Sequence, residues 1–459
     1  MDKPNLTNVL EESTIDEFKK NLRGNLFRPG DEGYESSRKI FNAMIDKHPG
    51  LIVKSAGVAD VITTVNFARK NNLLLAVKGG GHSVAGHAIC DGCLMIDLSN
   101  MKGIRVDQIE RTVRAESGVV LGELDHETQI HGLATSLGTI SVTGISGLTL
   151  GGGIGWLMGR YGLACDNLVS VDIVTADGRF ITASSKKNQD LFWGIRGGGG
   201  NFGIVTSFEY KVYPISQVLA GLILWPLDKA KEVLHFFRDF TRDEPDELGT
   251  ILAIATLPGG VPVVGVAVCY SGEIEKGKKV LAPLREFGAP VVDTIGPMQY
   301  ERAQKMLNDT APSGKLNYWK SAFLKELSDN VIETIISYTK NVPSPISMVH
   351  IWSHHGAVNR IKTGEIAFSN RNYQYNFHIV SIWEDKAISE KNLEWTRNFW
   401  KAMEPFMASQ IYLNFISSEE EGRIIAAYGK NYERLVALKN KYDPTNLFRM
   451  NQNIKPSQM

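Results

Sequence analysis

Apolar and polar positions follow two periods along this chain, one typical of helices and one typical of strands. The strand-like runs become longer from about Gln217, and this change divides the chain. In the first half the apolar residues form short segments separated by glycine-rich turns. Helical spacing is found at 58–71, 119–131 and 188–195, and strand-like runs at 73–77, 94–98, 103–106, 111–115 and 168–175. This half is therefore predicted to be a mixture of helices and short strands.

From about Gln217 the strand-like runs become longer and alternate with amphipathic helices. The runs span 221–225, 250–256, 261–270, 348–353 and 376–383. Helices are expected to begin near Asp228, Asp329 and Ser389, each of which suits a helix N-cap. The pattern predicts an α+β protein with a first domain at 1–216, a second at 217–420 and a C-terminal segment at 421–459. Helical spacing is also found at 424–440.

Length and charge narrow the class of protein. A chain of 459 residues is too long for one ordinary core and can bury a large ligand. Lys plus Arg equal Asp plus Glu at 50 each, and no basic stripe is visible, so neither nucleic acid nor a membrane is an expected partner. The N-terminus, Met1 to Pro4 and onward, has no apolar segment, so a cytoplasmic protein is expected.

Two glycine clusters carry the clearest chemical signal. The apolar run 73–77 breaks on Gly79, Gly80 and Gly81, which are followed by His82; a second cluster spans 143–155. Backbone N–H groups of such loops can converge on a phosphate because no side chains intervene. His82 is the reactive side chain beside the first cluster, although a histidine in a turn can also be held only by hydrogen bonds.

A third glycine cluster, 198–203, matches the G-x-G-x-x-G pattern of dinucleotide-binding folds. It follows a helical segment and leads into a strand, which is the reverse of the order that the Rossmann fold requires. The match is interpreted as accidental.

Two further groups could suggest metal or redox chemistry. Cys90 and Cys93 form a C-x-x-C pair, but no second pair follows, and both are expected to be bystanders. His354 and His355 lack a third ligand at usable spacing. No metal site is predicted.

A series of motifs in one order resembles the FAD-linked oxidases of the berberine bridge enzyme type. The motifs are 78–86 (KGGGHSVAG), 90–99, 144–155 (GISGLTLGGGIG), 190–205, 431–435 and 441–448. The resemblance spans almost the whole chain. It implies a PCMH-type, two-part FAD-binding domain at 1–216, a substrate domain with an antiparallel sheet flanked by helices at 217–420, and a berberine-type C-terminal segment at 421–459 that returns to the FAD-binding domain. That sheet would form the roof over the flavin.

The resemblance also implies which residues hold FAD. They are Lys78, Gly79, Gly80, Gly81, His82, Ser83, Gly86, His87, Leu98, Thr139, Thr143, Gly144, Gly147, Gly151, Gly152, Gly153, Gly155, Gly203, Val205 and Asn451. In relatives the histidine after the glycines is bonded to the C8 methyl group of the flavin, which raises its reduction potential. Many relatives add a cysteine bond, but Ile140 occupies that position here, so attachment through His82 alone is expected.

Catalytic candidates follow from the same resemblance. Tyr412 and Asn414 fit a Tyr-x-Asn element whose tyrosine acts as the base. A tyrosine can do so only if its phenolate is stabilised by a cation or a donor, for which Arg360 or Arg371 would serve.

Plant relatives that close a C–C bridge place a glutamate directly behind a tyrosine. Here the corresponding pair is Tyr375 and Asn376, an amide in place of the carboxylate, so alcohol or hemiacetal oxidation is favoured over alkaloid ring closure. Tyr373 and His378 lie on or beside the same strand and are further candidates for substrate contact, or are ordinary sheet residues.

The expected function is an FAD-dependent oxidoreductase, an oxidase that removes a hydride from an alcohol or hemiacetal carbon of a sugar or a secondary metabolite and passes electrons to O2 to give hydrogen peroxide. The residue in the Thr143 position gates oxygen in the family, and threonine is small enough to favour an oxidase, unless it is only a turn residue. The alternatives are a flavin dehydrogenase with another acceptor, an NADPH-dependent reductase of the same superfamily, and a non-catalytic flavoprotein.

Overall fold

The computed structural model describes residues 10–457. Met1 to Pro4, on which the expectation about the N-terminus rests, lie outside the described residues. Among the helices at 10–457, none is both long enough and apolar enough to span a bilayer.

The strands of the described chain are β1 Asn25–Phe27, β2 Leu51–Lys54, β3 Leu75–Lys78, β4 Leu94–Asp97, β5 Ile104–Asp107, β6 Thr112–Glu116, β7 Leu133–Ala134, β8 Leu168–Val174, β9 Phe180–Ser184, β10 Ile204–Lys211, β11 Tyr213–Pro214, β12 Gln217–Pro226, β13 Leu248–Leu257, β14 Val261–Tyr270, β15 Val292–Asp293, β16 Gly296–Gln299, β17 Leu316–Leu324, β18 Met348–Ser353 and β19 Tyr375–Trp383.

The α-helices of the same residues are α1 Glu12–Lys20, α2 Tyr34–Arg38, α3 Val58–Lys70, α4 Leu121–Gln129, α5 Ile145–Leu150, α6 Met158–Tyr161, α7 Gln189–Ile195, α8 Ala230–Phe240, α9 Ile274–Glu286, α10 Tyr300–Gln304, α11 Asp329–Thr339, α12 Ala357–Arg360, α13 Ser389–Met403, α14 Ile424–Tyr428 and α15 Tyr432–Tyr442.

A small sheet in the order β1-β2-β4-β3 positions the first glycine loop. Strands β2, β4 and β3 are parallel, and α3 crosses between β2 and β3. Because β3 ends at Lys78, opposite Asp97 at the end of β4, the glycines leave the sheet at its carboxyl edge. This is the edge at which parallel sheets bind ligands.

A second sheet, β5-β6-β10-β8-β9, is antiparallel and carries the other glycine segments on its connections. Helix α15 packs into its core: Leu435 and Leu438 share one apolar cluster with Leu191 and Phe202. Lys439 fixes this arrangement because its buried Nζ donates to the carbonyl oxygens of Asn201 and Phe448 and pairs with Asp443 at 2.7 Å. The C-terminal segment is thereby held against the first half of the chain.

The largest sheet is antiparallel, in the order β15-β12-β14-β13-β18-β19-β17, with β16 also paired to β12. One face packs against the helices: Phe377 and Ile379 of β19 share a cluster with Leu234, Ile332 and Phe399 of α8, α11 and α13. Side chains of a strand alternate between the two faces of the sheet. The residue between Phe377 and Ile379 therefore points to the opposite face, toward the first half of the chain. The α+β fold with a helix-flanked antiparallel sheet is confirmed.

Cys90 and Cys93, expected from the sequence to be bystanders, are joined by a disulfide bond. The chain turns after the first glycine loop, which brings the two Cα atoms to 5.7 Å, a separation that a disulfide spans. Both cysteines are buried against Ala76. The spacing of three residues does not reveal this turn.

Candidate active site

A deep cavity lies between the glycine loops and the large sheet. It encloses about 1950 Å³, counting its open mouth. One wall comes from the loops after β3 and around α5, a second from the C-terminal segment that contains Asn451, and a third from β17, β18 and β19. The cavity is thus formed by all three parts of the chain.

The two main glycine loops touch each other. A Cβ atom placed on Gly80 would lie 2.5 Å from the backbone nitrogen of Gly144, and a Cβ on Gly144 would lie equally close to the nitrogen of Gly80. Neither position can accept a side chain without displacing backbone. The contact explains why the sequence has glycine at both positions.

Other glycines leave room for a bound group. A Cβ on Gly147 or on Gly200 would meet no protein atom within 4 Å, and both residues line the cavity. The Oδ1 atom of Asn451 is buried without a protein partner at the same wall, while its Nδ2 atom donates to the Gly200 carbonyl at 3.1 Å. Open glycine cradles and an unpartnered amide oxygen fit a flavin dinucleotide, whose phosphates and ring need backbone donors and close approach.

His82 lies at the junction of the loop wall and the sheet wall. Its ring stacks on Phe41 with centroids 4.0 Å apart, and Phe41 in turn contacts Trp319 edge-on at 5.7 Å. Burial lowers the pKa of His82 to about 4. The imidazole is therefore neutral at physiological pH, and its ring nitrogens can act as nucleophile or hydrogen-bonding group.

Tyr412 reaches the cavity from the segment after α13. Its phenolic oxygen accepts hydrogen bonds from the backbone N–H groups of Gly153 and Ile154, at 3.0 and 3.3 Å, and from Nδ2 of Asn414 at 2.8 Å. Asn414 is itself fixed by donation to the Leu148 carbonyl at 3.0 Å. Three donors around one oxygen favour developing negative charge on it.

The arginines expected to stabilise this phenolate are elsewhere, so that expectation is wrong. Arg371 forms a buried two-fold pair with Asp166, at 2.6 and 3.0 Å. Arg360 pairs with Asp246 near the surface. Backbone N–H groups and an amide take the role because the loop after α5 passes directly under the phenolic oxygen.

The sheet wall contributes aromatic and imidazole side chains. Trp319 of β17, His350 and Trp352 of β18, and His378 of β19 line the cavity. His378 stacks on Phe415 at 4.1 Å. The sequence indicated His378, but the other three come together only through strand pairing.

Most of the residues expected to hold FAD line the cavity. They are Gly79, Gly80, Gly81, His82, Ser83, His87, Leu98, Thr139, Thr143, Gly144, Gly147, Gly151, Gly203, Val205 and Asn451, together with Ile140 and the catalytic candidates Tyr412 and Asn414. The order of the motifs implied that residues as far apart in the sequence as 79 and 451 meet at one site, and these residues line one cavity.

Five of the expected cofactor residues lie behind the wall and shape it. They are Lys78, Gly86, Gly152, Gly153 and Gly155. The Nζ atom of Lys78 donates to the Ser37 carbonyl at 2.7 Å. A Cβ on Gly155 would overlap the Leu137 carbonyl. These residues are suited to packing the loops.

Tyr375 and Asn376 need a correction that follows from strand alternation. Tyr375 points to the helix side of β19, where its hydroxyl lies 2.9 Å from Thr241 Oγ1, so it cannot contact a substrate in the cavity. Asn376 is fully buried on the opposite, cavity-facing side, and its Oδ1 accepts from Ser321 at 3.1 Å. It stands behind the residues that line the cavity.

Among residues 10–457, no group of three or more His, Cys, Asp or Glu side chains converges. His355 instead lies with its Nε2 atom 2.8 Å from the Leu248 carbonyl oxygen. The glycine cluster at 198–203 follows α7 and leads into β10, which is the order that argued against a Rossmann site.

Comparison with known proteins identifies this architecture. A family model described as an FAD binding domain matches residues 49–184, and one described as berberine and berberine like matches residues 411–455. An FAD-linked oxidoreductase of Dictyostelium discoideum is 34% identical over 449 residues, covering 97% of each chain. A chitooligosaccharide oxidase of Gibberella zeae is 27% identical over 462 residues, covering 93% of this chain and 91% of that protein.

Among solved structures, 6-hydroxy-D-nicotine oxidase from Arthrobacter nicotinovorans superposes with a TM-score of 0.88 at 28% identity, covering 95% of this chain and 98% of that one. Fold, cavity and relatives together define an FAD-dependent oxidoreductase. The chain belongs to the berberine bridge enzyme-like family of FAD-linked oxidoreductases.

Proposed function

We propose that this protein is an oxidase that removes a hydride from a CH–OH carbon of a small molecule and passes the electrons to O2, forming hydrogen peroxide. The main support for this proposal is the position of the Tyr412 hydroxyl group. It lies at the cavity, and its oxygen accepts hydrogen bonds from three N–H donors. Hydride loss from an alcohol requires a base for the hydroxyl proton, and a supported phenolate supplies one.

FAD, when bound, supplies the two-electron acceptor. The residues that would hold it are those of the glycine loops, with Gly147 and Gly200 leaving space and Asn451 offering its unpartnered amide oxygen. The large sheet closes the other side of the cavity. The residues of this chain bind the substrate, orient it and accept its hydroxyl proton.

The environment of Tyr412 contains opposing effects on its acidity. Burial raises its pKa to about 12, and the donors from Gly153, Asn414 and Ile154 act in the lowering direction. The hydroxyl is therefore protonated in the resting site. It must lose this proton to the solvent before it can accept the proton of the substrate hydroxyl, and the three N–H donors favour that loss because they stabilise the phenolate.

We also propose that His82 anchors the cofactor through a bond from a ring nitrogen to the flavin C8 methyl carbon. This bond would require one methyl proton and the imidazole N–H proton to leave, and the flavin would take up the two electrons. A neutral imidazole, as burial produces here, is the form that can react. Ile140 lines the cavity with an aliphatic side chain, so a second, cysteinyl attachment at that position is not available.

O2 is proposed as the electron acceptor because Thr143 lines the cavity and its side chain is small. The name of the Gibberella zeae relative, an oxidase acting on chitooligosaccharides, supports an oxygen-using reaction on a hydroxylated substrate.

The proposal is tested by anaerobic titration of the purified protein with a panel of alcohols while flavin absorbance is followed. Substrates that bleach the flavin should, on admission of air, restore the colour and yield one peroxide per turnover. Bleaching by NADPH alone would indicate a reductase instead. Bleaching that artificial dyes but not air reverse would indicate a dehydrogenase, and no bleaching by any alcohol would contradict the proposed reaction.

A further inference from the structure

Two polar atoms on the sheet wall of the cavity have no protein partner. The Nε1 atom of Trp352 and the Nε2 atom of His378 are buried, and both side chains line the cavity. His378 is 2% exposed and Trp352 is 6% exposed. Buried polar groups normally have a hydrogen-bond partner. Two unpaired nitrogen atoms that face one cavity therefore indicate a ligand that supplies the missing partner.

Strand pairing brings these two side chains together. In the β18–β19 register His350 is opposite His378, and Trp352 is opposite Asn376, one alternation further along the same face. Asn376 leaves its Nδ2 atom without a partner as well, directly beneath this area. Trp352 and His378, which line the cavity, form a hydrogen-bonding patch in the middle of the sheet wall.

The surroundings of the patch are aromatic. Phe415 stacks on His378 with an interplanar angle of 16°, and Trp319 meets the same imidazole edge-on at 5.1 Å. His378 and Phe415 are already in contact, with centroids 4.1 Å apart, so a ligand lies against this aromatic surface and not between the two rings. A planar ligand makes the most contact with such a surface. A sugar needs a hydrogen-bond partner for each of its several hydroxyl groups, and the two unpaired nitrogen atoms of this wall can serve only one or two of them.

Charge is absent from the described lining. The residues that line the cavity include no Asp, Glu, Lys or Arg side chain. Burial lowers the pKa of His350 to about 4 and that of His378 well below its ordinary value, so both imidazoles are neutral. At the sheet wall, away from the backbone N–H groups of the glycine loops, an ionised substrate would find no counter-charge, and burying an unpaired charge is expensive.

We propose that the substrate is an uncharged aromatic alcohol that carries an oxygen acceptor, such as a carbonyl group, at the end remote from the carbon being oxidised. The Nε1–H group of Trp352 donates to this oxygen, and the neutral His378 donates through Nε2–H. This inference rests on the proposed function for the alcohol end and deepens it by naming the substrate class.

Binding can be measured without turnover, which separates the two proposals. Three ligands of one shape, none with an oxidisable alcohol, are compared by calorimetry and by perturbation of the flavin spectrum: 4-methylacetophenone, 4-ethyltoluene and 4-methylbenzoate. The ketone should bind at least about tenfold more tightly than the hydrocarbon. Only the ketone has an oxygen that can accept hydrogen bonds from Trp352 Nε1 and His378 Nε2. The carboxylate should bind most weakly.

Trp352→Phe removes the indole N–H and keeps an aromatic ring. It should cut the preference for the ketone over the hydrocarbon by about tenfold and leave hydrocarbon binding almost unchanged. Trp395→Phe is the matched control, since that indole donates to the Tyr338 carbonyl on the outer helices, and it should leave all three affinities unchanged. If Trp352→Phe fails to fold, His378→Phe is measured in its place.

Equal binding of ketone and hydrocarbon by the wild-type protein, or strongest binding of the carboxylate, would overturn the inference. Tight binding of a disaccharide in place of the aromatic ligands would do the same. Turnover of 4-acetylbenzyl alcohol is assayed separately. Tight ketone binding without any flavin reduction by that alcohol would refute the proposed oxidase and leave the binding patch standing.

Discussion

The phenolic oxygen of Tyr412 accepts a hydrogen bond of 3.0 Å from the backbone N–H group of Gly153. These residues are 259 positions apart, and their contact joins the C-terminal part of the chain to a glycine loop of the first half. The bond locates the proposed base at the cavity and supplies part of the support for its phenolate.

Replacing Tyr412 by phenylalanine removes this base and keeps the ring. The rate of anaerobic flavin reduction by an alcohol substrate should fall by about 10²- to 10⁴-fold, the range over which a positioned proton acceptor contributes. Stopped-flow absorbance measures the rate. Tyr338→Phe, on the outer helix α11, should reduce flavin at the wild-type rate. An unchanged rate in Tyr412→Phe would exclude the assigned role.

The side chain of Asn414 should control the pH dependence of the same step. Burial raises the pKa of Tyr412, and the donor on Asn414 opposes that rise. Asn414→Ala therefore raises the pKa of the phenol, so less phenolate forms at a given pH and the rising limb of the rate moves to higher pH. The rate of flavin reduction between pH 6 and 10 measures the shift. A limb that stays in place, or moves to lower pH, would contradict this account.

The crossing of the two glycine loops predicts a different kind of failure. Gly80→Ala places a Cβ atom 2.5 Å from the backbone nitrogen of Gly144, so the loops must separate. The purified variant should contain much less flavin and melt at a lower temperature. Gly314→Ala makes a useful comparison, because a Cβ at Gly314 meets no atom, although its positive φ of 78° adds local strain. Wild-type flavin content in Gly80→Ala would show that the loops tolerate separation.

Sequence reasoning was strongest where local chemistry decides the structure. The break of an apolar strand on three glycines predicted the loop before His82, and β3 and the loop are found at that position. Strand β17 was missed because all nine of its residues, Leu316–Leu324, are buried, which removes the alternation that marks a half-exposed strand. Lys320 in its middle made the run look still less like a strand.

The parts of the site that depend on pairing between distant strands could not be predicted. Trp352 and His378 become neighbours only through the β18–β19 register. The sequence also could not show whether Tyr375 or its neighbour Asn376 faces the cavity, because this depends on how the strand is paired. The same limit explains why arginines were expected at Tyr412, where backbone N–H groups are found.

The buried pair of Arg371 and Asp166 should contribute strongly to stability. Their side chains are 1% and 3% exposed, and Arg371→Met leaves the Asp166 carboxylate without its partner. The free energy of unfolding should drop by about 3–5 kcal/mol, as is usual when half of a buried pair is removed. Urea titration followed by fluorescence measures it.

Arg360→Met is the control for that measurement. Arg360 and Asp246 are 58% and 39% exposed, and exposed pairs contribute little because water and salt screen them. The unfolding midpoint should barely move. A loss as large as that of Arg371→Met would show that burial is not what distinguishes the two pairs.

The most direct test of the whole account is the fate of the flavin when the protein is denatured with acid. The account predicts a yellow precipitate from the wild-type protein, with the flavin mass on the tryptic peptide that contains His82. His82→Ala should give a colourless precipitate and a yellow supernatant. A wild-type protein that releases all its flavin, or a His82→Ala protein that retains it after precipitation, would contradict the proposed attachment.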